Sequence, residues 1–259
     1  MTIVNFEKFK EQLDLNKKIY NRKPFNYIVI DDFLNEKDAE SILEEFPRIT
    51  KKWKDARGLH TQNKWALPIV KESSAEKFMI EVNSDHFREL LSQLTSIDNL
   101  RSDSDLQGAG YHQITNGGFL DVHVDFNRLE SDSSMDRRLN LLVYFNKNWK
   151  QEMNGYLELW DMERKIMIES ICPKFNRCVI FETNEISFHG HPKPLNIDES
   201  NSRKSLSVYF YTKGRDDIEY VQSHNTIYKN TEATKGLIKV FYNGIKHASR
   251  KVFKLFEKF

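Results

Sequence analysis

From residue 109 to residue 212 the chain breaks into short β-rich runs: AGYHQIT, FLDVHVDF, RLNLLVYFN, GYLELWD, KIMIESIC, NRCVIFET, ISFHG and KSLSVYFYT. Polar, turn-rich stretches separate them, among them NGG at 116–118 and NKNWKQEMNG at 146–155, and such punctuation marks reversals of the chain. About eight short strands at this spacing predict a sandwich or barrel, with a jelly roll among the natural solutions. Ahead of them, residues 5–19, NEKDAESILEEF and SDHFRELLSQLTSI read as amphipathic helices, the last two with Asn35 and Ser84 as candidate caps. FNYIVIDDFL holds a strand at 27–31, and residues 50–73, without clear periodicity, read as a long loop. The predicted class is mainly β with flanking helices (α+β). Residues 1–104 form a mostly helical region buttressing a β core at 105–213, and 214–259 hold a polar linker and a final helix.

Charge and composition exclude several roles. Lys+Arg 39 against Asp+Glu 38 leaves no general attraction for nucleic acid. Cys172 and Cys178 form neither a CxxC pair nor a disulfide framework and read as buried, reduced thiols in a reducing compartment. The first residues carry lysines from position 8 onward, and no stretch has the apolar length of a signal peptide or a membrane span. The expected location is cytoplasmic. In the tail, Ile238, Phe241, Ile245, Ala248, Val252, Leu255 and Phe259 recur at steps of three and four, which places them on one helix face. Six Lys/Arg against one Glu over 236–259 make this a basic amphipathic helix with three candidate partners: its own core, a second copy, or an anionic membrane surface. The last would make the protein peripheral to the inner face of a membrane.

The run FLDVHVDFN at 119–127 puts Asp121, His123 and Asp125 on one face and Leu120, Val122, Val124 and Phe126 on the other, because strand side chains alternate with period two. A row of two carboxylates around an imidazole either faces water or converges on a metal ion. Two imidazoles and one carboxylate on one face of an ion are the ligand set of non-haem Fe(II), with positions left open for substrates and O2. ISFHGHP supplies the second imidazole as His189 or His191; Gly190 and Pro192 suggest that the strand is ending there, which favours His189. Fourteen residues on, RKSLSVYFYT opens a strand with Arg203, followed by Ser205 and Ser207. A guanidinium fork binds a carboxylate through two parallel bonds, and a serine hydroxyl adds a third. An arginine beside such a metal suits a dicarboxylate cosubstrate, chelated at one end and clamped at the other.

The stretch from GYHQITNGGFLDVHVDFN through RRLNLLVYFN, GYLELWD, FNRCVIFETNEISFHGHP and RKSLSVYFYT resembles the Fe(II)- and 2-oxoglutarate-dependent dioxygenases, in particular their prolyl-4-hydroxylase-like branch. The resemblance covers about residues 105–213 and includes the order HxD, β-rich interval, His, Arg. It implies a double-stranded β-helix (jelly roll, cupin-like) core and assigns His123, Asp125 and His189 to iron. Arg203 is matched to the distal carboxylate of 2-oxoglutarate, Tyr144 to the same carboxylate, and Tyr111 and Ser207 more weakly to the cosubstrate pocket. The implied reaction is hydroxylation of an unactivated C–H with conversion of 2-oxoglutarate and O2 to succinate and CO2, ascorbate serving as an optional reductant. Asp125 argues for hydroxylation, since the related halogenating enzymes lack this carboxylate. Candidate substrate contacts are His112, Asn127, Arg137, Arg138 and Trp149; Arg137 and Arg138 follow Asp132 and Asp136 and have a surface ion pair as their alternative. The expected substrate is a small metabolite such as an amino acid or sugar, because no peptide-docking module is evident. Peptidyl proline is the alternative, and a non-catalytic scaffold or a demethylase-like member of the wider cupin group fits less well. Asp121 is expected near the pocket mouth or barrel edge, away from the metal.

Overall fold

Along Arg203–Lys213 the side chains divide by parity: Leu206, Val208 and Phe210 enter an apolar core, while Arg203, Ser205, Ser207 and Tyr209 line a small enclosed cavity. The same division organises the whole computed structural model, which describes residues 2–16, 23–215, 222–229 and 231. Its helices are α1 (Phe6–Asn16), α2 (Glu36–Glu44), α3 (Ser74–Val82) and α4 (Asp85–Thr95). Its strands are β1 (Tyr27–Ile30), β2 (Lys54–Asp55), β3 (Thr61–Leu67), β4 (Arg101–Ser102), β5 (Gly110–Val124), β6 (Met135–Tyr144), β7 (Leu157–Asp161), β8 (Ile166–Ile171), β9 (Arg177–Glu182), β10 (His189–His191), β11 (Arg203–Lys213) and β12 (Ile227–Tyr228).

The strands follow the path β1-β9-β6-β11-β5-β10-β7-β8. Leu139, Leu141 and Val143 on β6 and Leu206, Val208 and Phe210 on β11 face the helices, packing with Phe9, Ile42, Phe78, Phe87 and Leu91. Burial of this kind contributes roughly 1.5–3 kcal/mol per large side chain and presses the four helices onto one face. The opposite face closes around the cavity. The chain is thus mainly β with a jelly-roll core, as expected.

β5 makes the closure. Its first half pairs with β11, Arg203 opposite Ile114, and its second half pairs with β10, His189 opposite His123. The corner falls at Asn116–Gly118, where Gly117 has φ +69° and Leu195 bonds to the backbone of Gly117 and Gly118. The NGG stretch, which reads as a turn between two strands, is therefore a bend inside one strand of 15 residues. It stays extended because β3 runs beside both halves.

β3 corrects the long loop expected over 50–73. Thr61–Leu67 pairs with β5 from Leu120 to Tyr111, and its sequence TQNKWAL hides the strand because its ladder, more than an apolar stripe, holds it. α3 was also missed, although Ser73 caps it by accepting from the Glu76 amide at 3.1 Å. Ser84 caps α4 in the same way at 3.2 Å. Asn35 precedes α2 without capping it by its side chain, whose amide donates instead to the Thr2 carbonyl at 2.6 Å. Both cysteines are free, and only Cys178 is fully buried. No helix among the described residues is long and apolar enough to cross a membrane. The basic helix expected over 236–259 lies outside the described residues.

Candidate active site

Two paired strands converge at one end of the cavity. His123 is the last residue but one of β5, Asp125 lies just beyond the strand and His189 opens β10, and one donor atom from each lies within 4.8 Å of the others. The His123 Nε2 is 3.4 Å from Asp125 Oδ1, and the His189 Nε2 is 3.5 Å from Asp125 Oδ2. Each imidazole sets its Nδ1 against a backbone carbonyl two residues earlier on its own segment, His123 on Asp121 at 2.8 Å and His189 on Ser187 at 2.9 Å. A carbonyl only accepts, so Nδ1 carries the proton and Nε2 offers its lone pair to the cavity. Burial holds the His189 imidazole down to about 4, leaving it neutral and ready to ligate at ordinary pH. Two imidazoles and a carboxylate on one side fit a non-haem Fe(II) centre.

The carboxylate is oriented from behind. Asp125 Oδ2 accepts from Asn140 Nδ2 at 2.7 Å and from the Arg137 guanidinium at 3.1 Å, while Arg137 also donates to Asn140 Oδ1 at 2.9 and 2.6 Å. Burial pushes the Asp125 carboxyl up, but Arg137 and the two imidazoles outweigh it and hold it well below the usual carboxylate range. A bulge decides which arginine does this. Leu139 lies opposite Phe210 and Arg137 opposite Tyr211, so Arg138 is the extra residue, and Arg137 turns onto the face of Asn140. Arg137 is 1% exposed, with its guanidinium 3.6 Å from the Tyr209 ring centre and 4.4 Å from that of Phe126. Its surface-pair alternative is therefore excluded. Arg138 reaches away to Thr212 at 3.2 Å.

The row Asp121, His123, Asp125 does not face water: the three are 1%, 5% and 15% exposed at their side chains. Nor is it a single row. Between the His189 and His191 registers β5 advances three residues, from 123 to 120, against two on β10. His123 and Leu120 therefore both line the cavity, and Asp121 turns aside to meet His60 Nδ1 at 2.9 Å. The expectation that Asp121 would sit at a mouth or edge gives way to a buried carboxylate paired with the half-buried His60. Gly190 allows the two strands to meet, since a Cβ there would lie 2.9 Å from the carbonyl oxygens of both Leu120 and Asp121. Gly190→Ala should cost roughly 1–3 kcal/mol by overpacking, read as a lowered midpoint of urea unfolding; an unchanged midpoint would show that β10 can shift at no cost.

At the other end of the cavity, Arg203 donates Nε to the Gly155 carbonyl at 2.7 Å and places Nη2 3.4 Å from the Tyr144 hydroxyl. Gly155 has φ +72°, and a Cβ there would collide with Leu195. Ser205 and Ser207 share the Arg203 face. Tyr111 does not: it belongs to the opposite parity of β5, packed edge-on against Phe46 at 4.9 Å in the helix-facing core. Of the candidate substrate contacts, His112 and Arg137 line the cavity. Asn127 instead fastens the segment at 222–224, donating to the Gln222 carbonyl at 3.0 Å and accepting from the His224 amide at 2.9 Å. Trp149 packs with Ile114, Leu195 and Ile197, and its Nε1 donates to the Asn154 carbonyl at 2.9 Å. Asn140 and Lys64 are among the wall residues that escaped sequence reasoning. Asn140, a polar residue inside the apolar run RLNLLVYF, was a readable signal; Lys64, on the unrecognised β3, was not. The cavity has a volume of about 70 Å³, and the wider concavities of about 610 Å³ lie elsewhere on the surface.

Residues 107–211 match the family model described as the 2OG-Fe(II) oxygenase superfamily. A mouse protein named prolyl 3-hydroxylase OGFOD1 is 30% identical over 143 residues, covering 54% of this chain and 23% of the relative. The chain thus spans about a quarter of that protein's length. Among solved structures, a prolyl hydroxylase from Trichoplax adhaerens, in complex with a hypoxia inducible factor oxygen degradation domain peptide fragment, superposes with TM-score 0.57 at 16% identity, covering 80% of this chain and 93% of that one. A prolyl-4-hydroxylase from Pseudomonas putida gives TM-score 0.57 at 16% identity, covering 80% of this chain and 100% of that one. These structures share the fold, and the ligand geometry described above sits inside the matched segment. Residues 107–211 are thus similar to the 2OG-Fe(II) oxygenase superfamily, the segment in which the metal triad and Arg203 lie.

Proposed function

We propose that this chain is an Fe(II)- and 2-oxoglutarate-dependent dioxygenase that hydroxylates a proline residue in a protein or peptide. The observation that carries the reading is the convergence of His123, Asp125 and His189 within 4.8 Å in a cavity whose far wall holds Arg203 and Tyr144. When bound, the metal and the keto acid supply the oxidising chemistry that turns C–H into C–OH with release of succinate and CO2. The protein holds and orients. His123, Asp125 and His189 hold the metal, Arg137 and Asn140 aim the carboxylate, and Arg203 with Tyr144 receives the distal carboxylate, Ser205 and Ser207 lying alongside. Leu120, Leu142 and Leu157 in the same wall keep water from the reacting centre. A proline substrate is supported by the named prolyl hydroxylases among the relatives, which weigh against the small metabolite expected from sequence.

The test is an anaerobic titration of the metal-free chain with Fe(II) and then 2-oxoglutarate, followed by succinate release with proline-containing peptides. A visible charge-transfer band is expected. In Arg203→Met the 2-oxoglutarate needed for it should rise on the order of 100-fold, the worth of a doubly bonded charged pair. A folded protein without the band would overturn the site assignment. A band with succinate release stimulated by free amino acids or sugars and never by peptides would overturn the proline substrate.

A further inference from the structure

Two imidazoles of the cavity, His112 and His191, stand outside the metal site. His191 lies two residues beyond His189 on β10 and lines the same cavity. It is 3% exposed, and neither of its ring nitrogens has a hydrogen-bond partner. The other imidazoles of the cavity are each tied to a backbone carbonyl, His112 to Gly108, His123 to Asp121 and His189 to Ser187. Buried polar side chains are partnered with few exceptions, so a ring orphaned at both nitrogens and lining a cavity marks a place for a ligand atom.

The surroundings define that atom. Arg203 and Lys64 line the cavity with it and both are cations, while the carboxylate of the wall, Asp125, is already engaged by Arg137 and Asn140, so the missing partner is an acceptor carrying negative charge. Two residues along a strand correspond to about 6.6 Å, which separates His191 from the metal-ligand position of His189 by the reach of a short diacid. We propose that His191 donates a hydrogen bond to the distal carboxylate of 2-oxoglutarate, forming a three-sided clamp with Arg203 and Tyr144. This inference rests on the cosubstrate reading above and adds a residue to it. In the clamp one nitrogen of His191 donates while the guanidinium supplies charge, so the carboxylate is held by direction as well as by attraction.

The experiment measures ligand binding to the full chain loaded with Mn(II) in place of iron, by isothermal titration calorimetry. Two ligands are compared: 2-oxoglutarate, and oxalate, which chelates a metal but has no distal carboxylate. His191→Leu should weaken 2-oxoglutarate about tenfold, the effect of one hydrogen bond to a charged group, and leave the Kd values of oxalate and Mn(II) unchanged. His191→Gln, which keeps an N–H donor, should recover part of the loss. Wild-type affinity for 2-oxoglutarate in the leucine variant, or an equal loss for both ligands, would overturn the proposal while leaving the cosubstrate reading intact. A wild-type chain that binds Mn(II) and oxalate but not 2-oxoglutarate would overturn both.

Discussion

Asp125→Ala is expected to weaken Mn(II) binding by more than about 100-fold, beyond the effect typical of losing a supporting residue around a metal, and to abolish succinate release. The substitution also harms the metal-free protein. Arg137 now faces Asp125 at 3.1 Å from a position 1% exposed, and without the carboxylate a buried guanidinium would keep Asn140 and the Tyr209 and Phe126 rings but no opposite charge. Breaking a buried pair from one side costs roughly 3–5 kcal/mol, much of it the penalty of the stranded charge. The double variant Asp125→Ala with Arg137→Met should therefore regain stability over the single one without regaining the metal. Calorimetric titration with Mn(II) and urea unfolding of the three proteins check both halves. Metal affinity that survives Asp125→Ala would mean that the two imidazoles recruit a different third ligand.

The second large effect separates two neighbours that look alike in sequence. Arg137→Met should destabilise the fold by about 3–5 kcal/mol, since the guanidinium bonds Asp125 and Asn140 and sits over the rings of Tyr209 and Phe126. Arg138→Met should cost about 1 kcal/mol or less, its side chain lying half-buried on the other face against Thr212. Metal affinity should fall about 10- to 100-fold in the first variant, which loses the group aiming Asp125, and stay unchanged in the second. Equal losses in the two would mean that the bulge in β6 does not sort them as described.

That bulge also shows where a sequence stops being readable. His123, Asp125, His189 and Arg203 could be found because the chemistry demands those residue types and strand parity carries them to one side. Parity also separates Ser205 and Ser207 from Leu206 and Val208. It fails wherever the ladder slips. Nothing in RRLNLL says that Arg138 is the extra residue, and nothing in FLDVHVDF says that Asp121 leaves the row at the irregularity facing Gly190. Tyr111 was misplaced for a simpler reason, since His112 takes the cavity parity at that point of β5 and leaves the tyrosine to the helices. Lys64 stayed hidden because its strand is held by hydrogen bonds to β5, a partner that local periodicity does not reveal. Asn127 and Trp149 carry polar groups that looked free to meet a substrate, and each is engaged in holding a loop.

The metal-binding groups differ in what keeps them aimed. His123 and His189 are anchored to carbonyls of their own backbone, and a carbonyl is present whatever side chain occupies positions 121 or 187. Asp125 depends instead on two foreign side chains, Arg137 and Asn140. Random mutation therefore strikes the centre unevenly: the imidazoles tolerate drift around them, whereas the carboxylate inherits every change at two positions of β6. Descendants of such a chain would lose their third ligand's alignment before that of either histidine, passing through forms that still capture a metal ion but no longer present it in one fixed geometry.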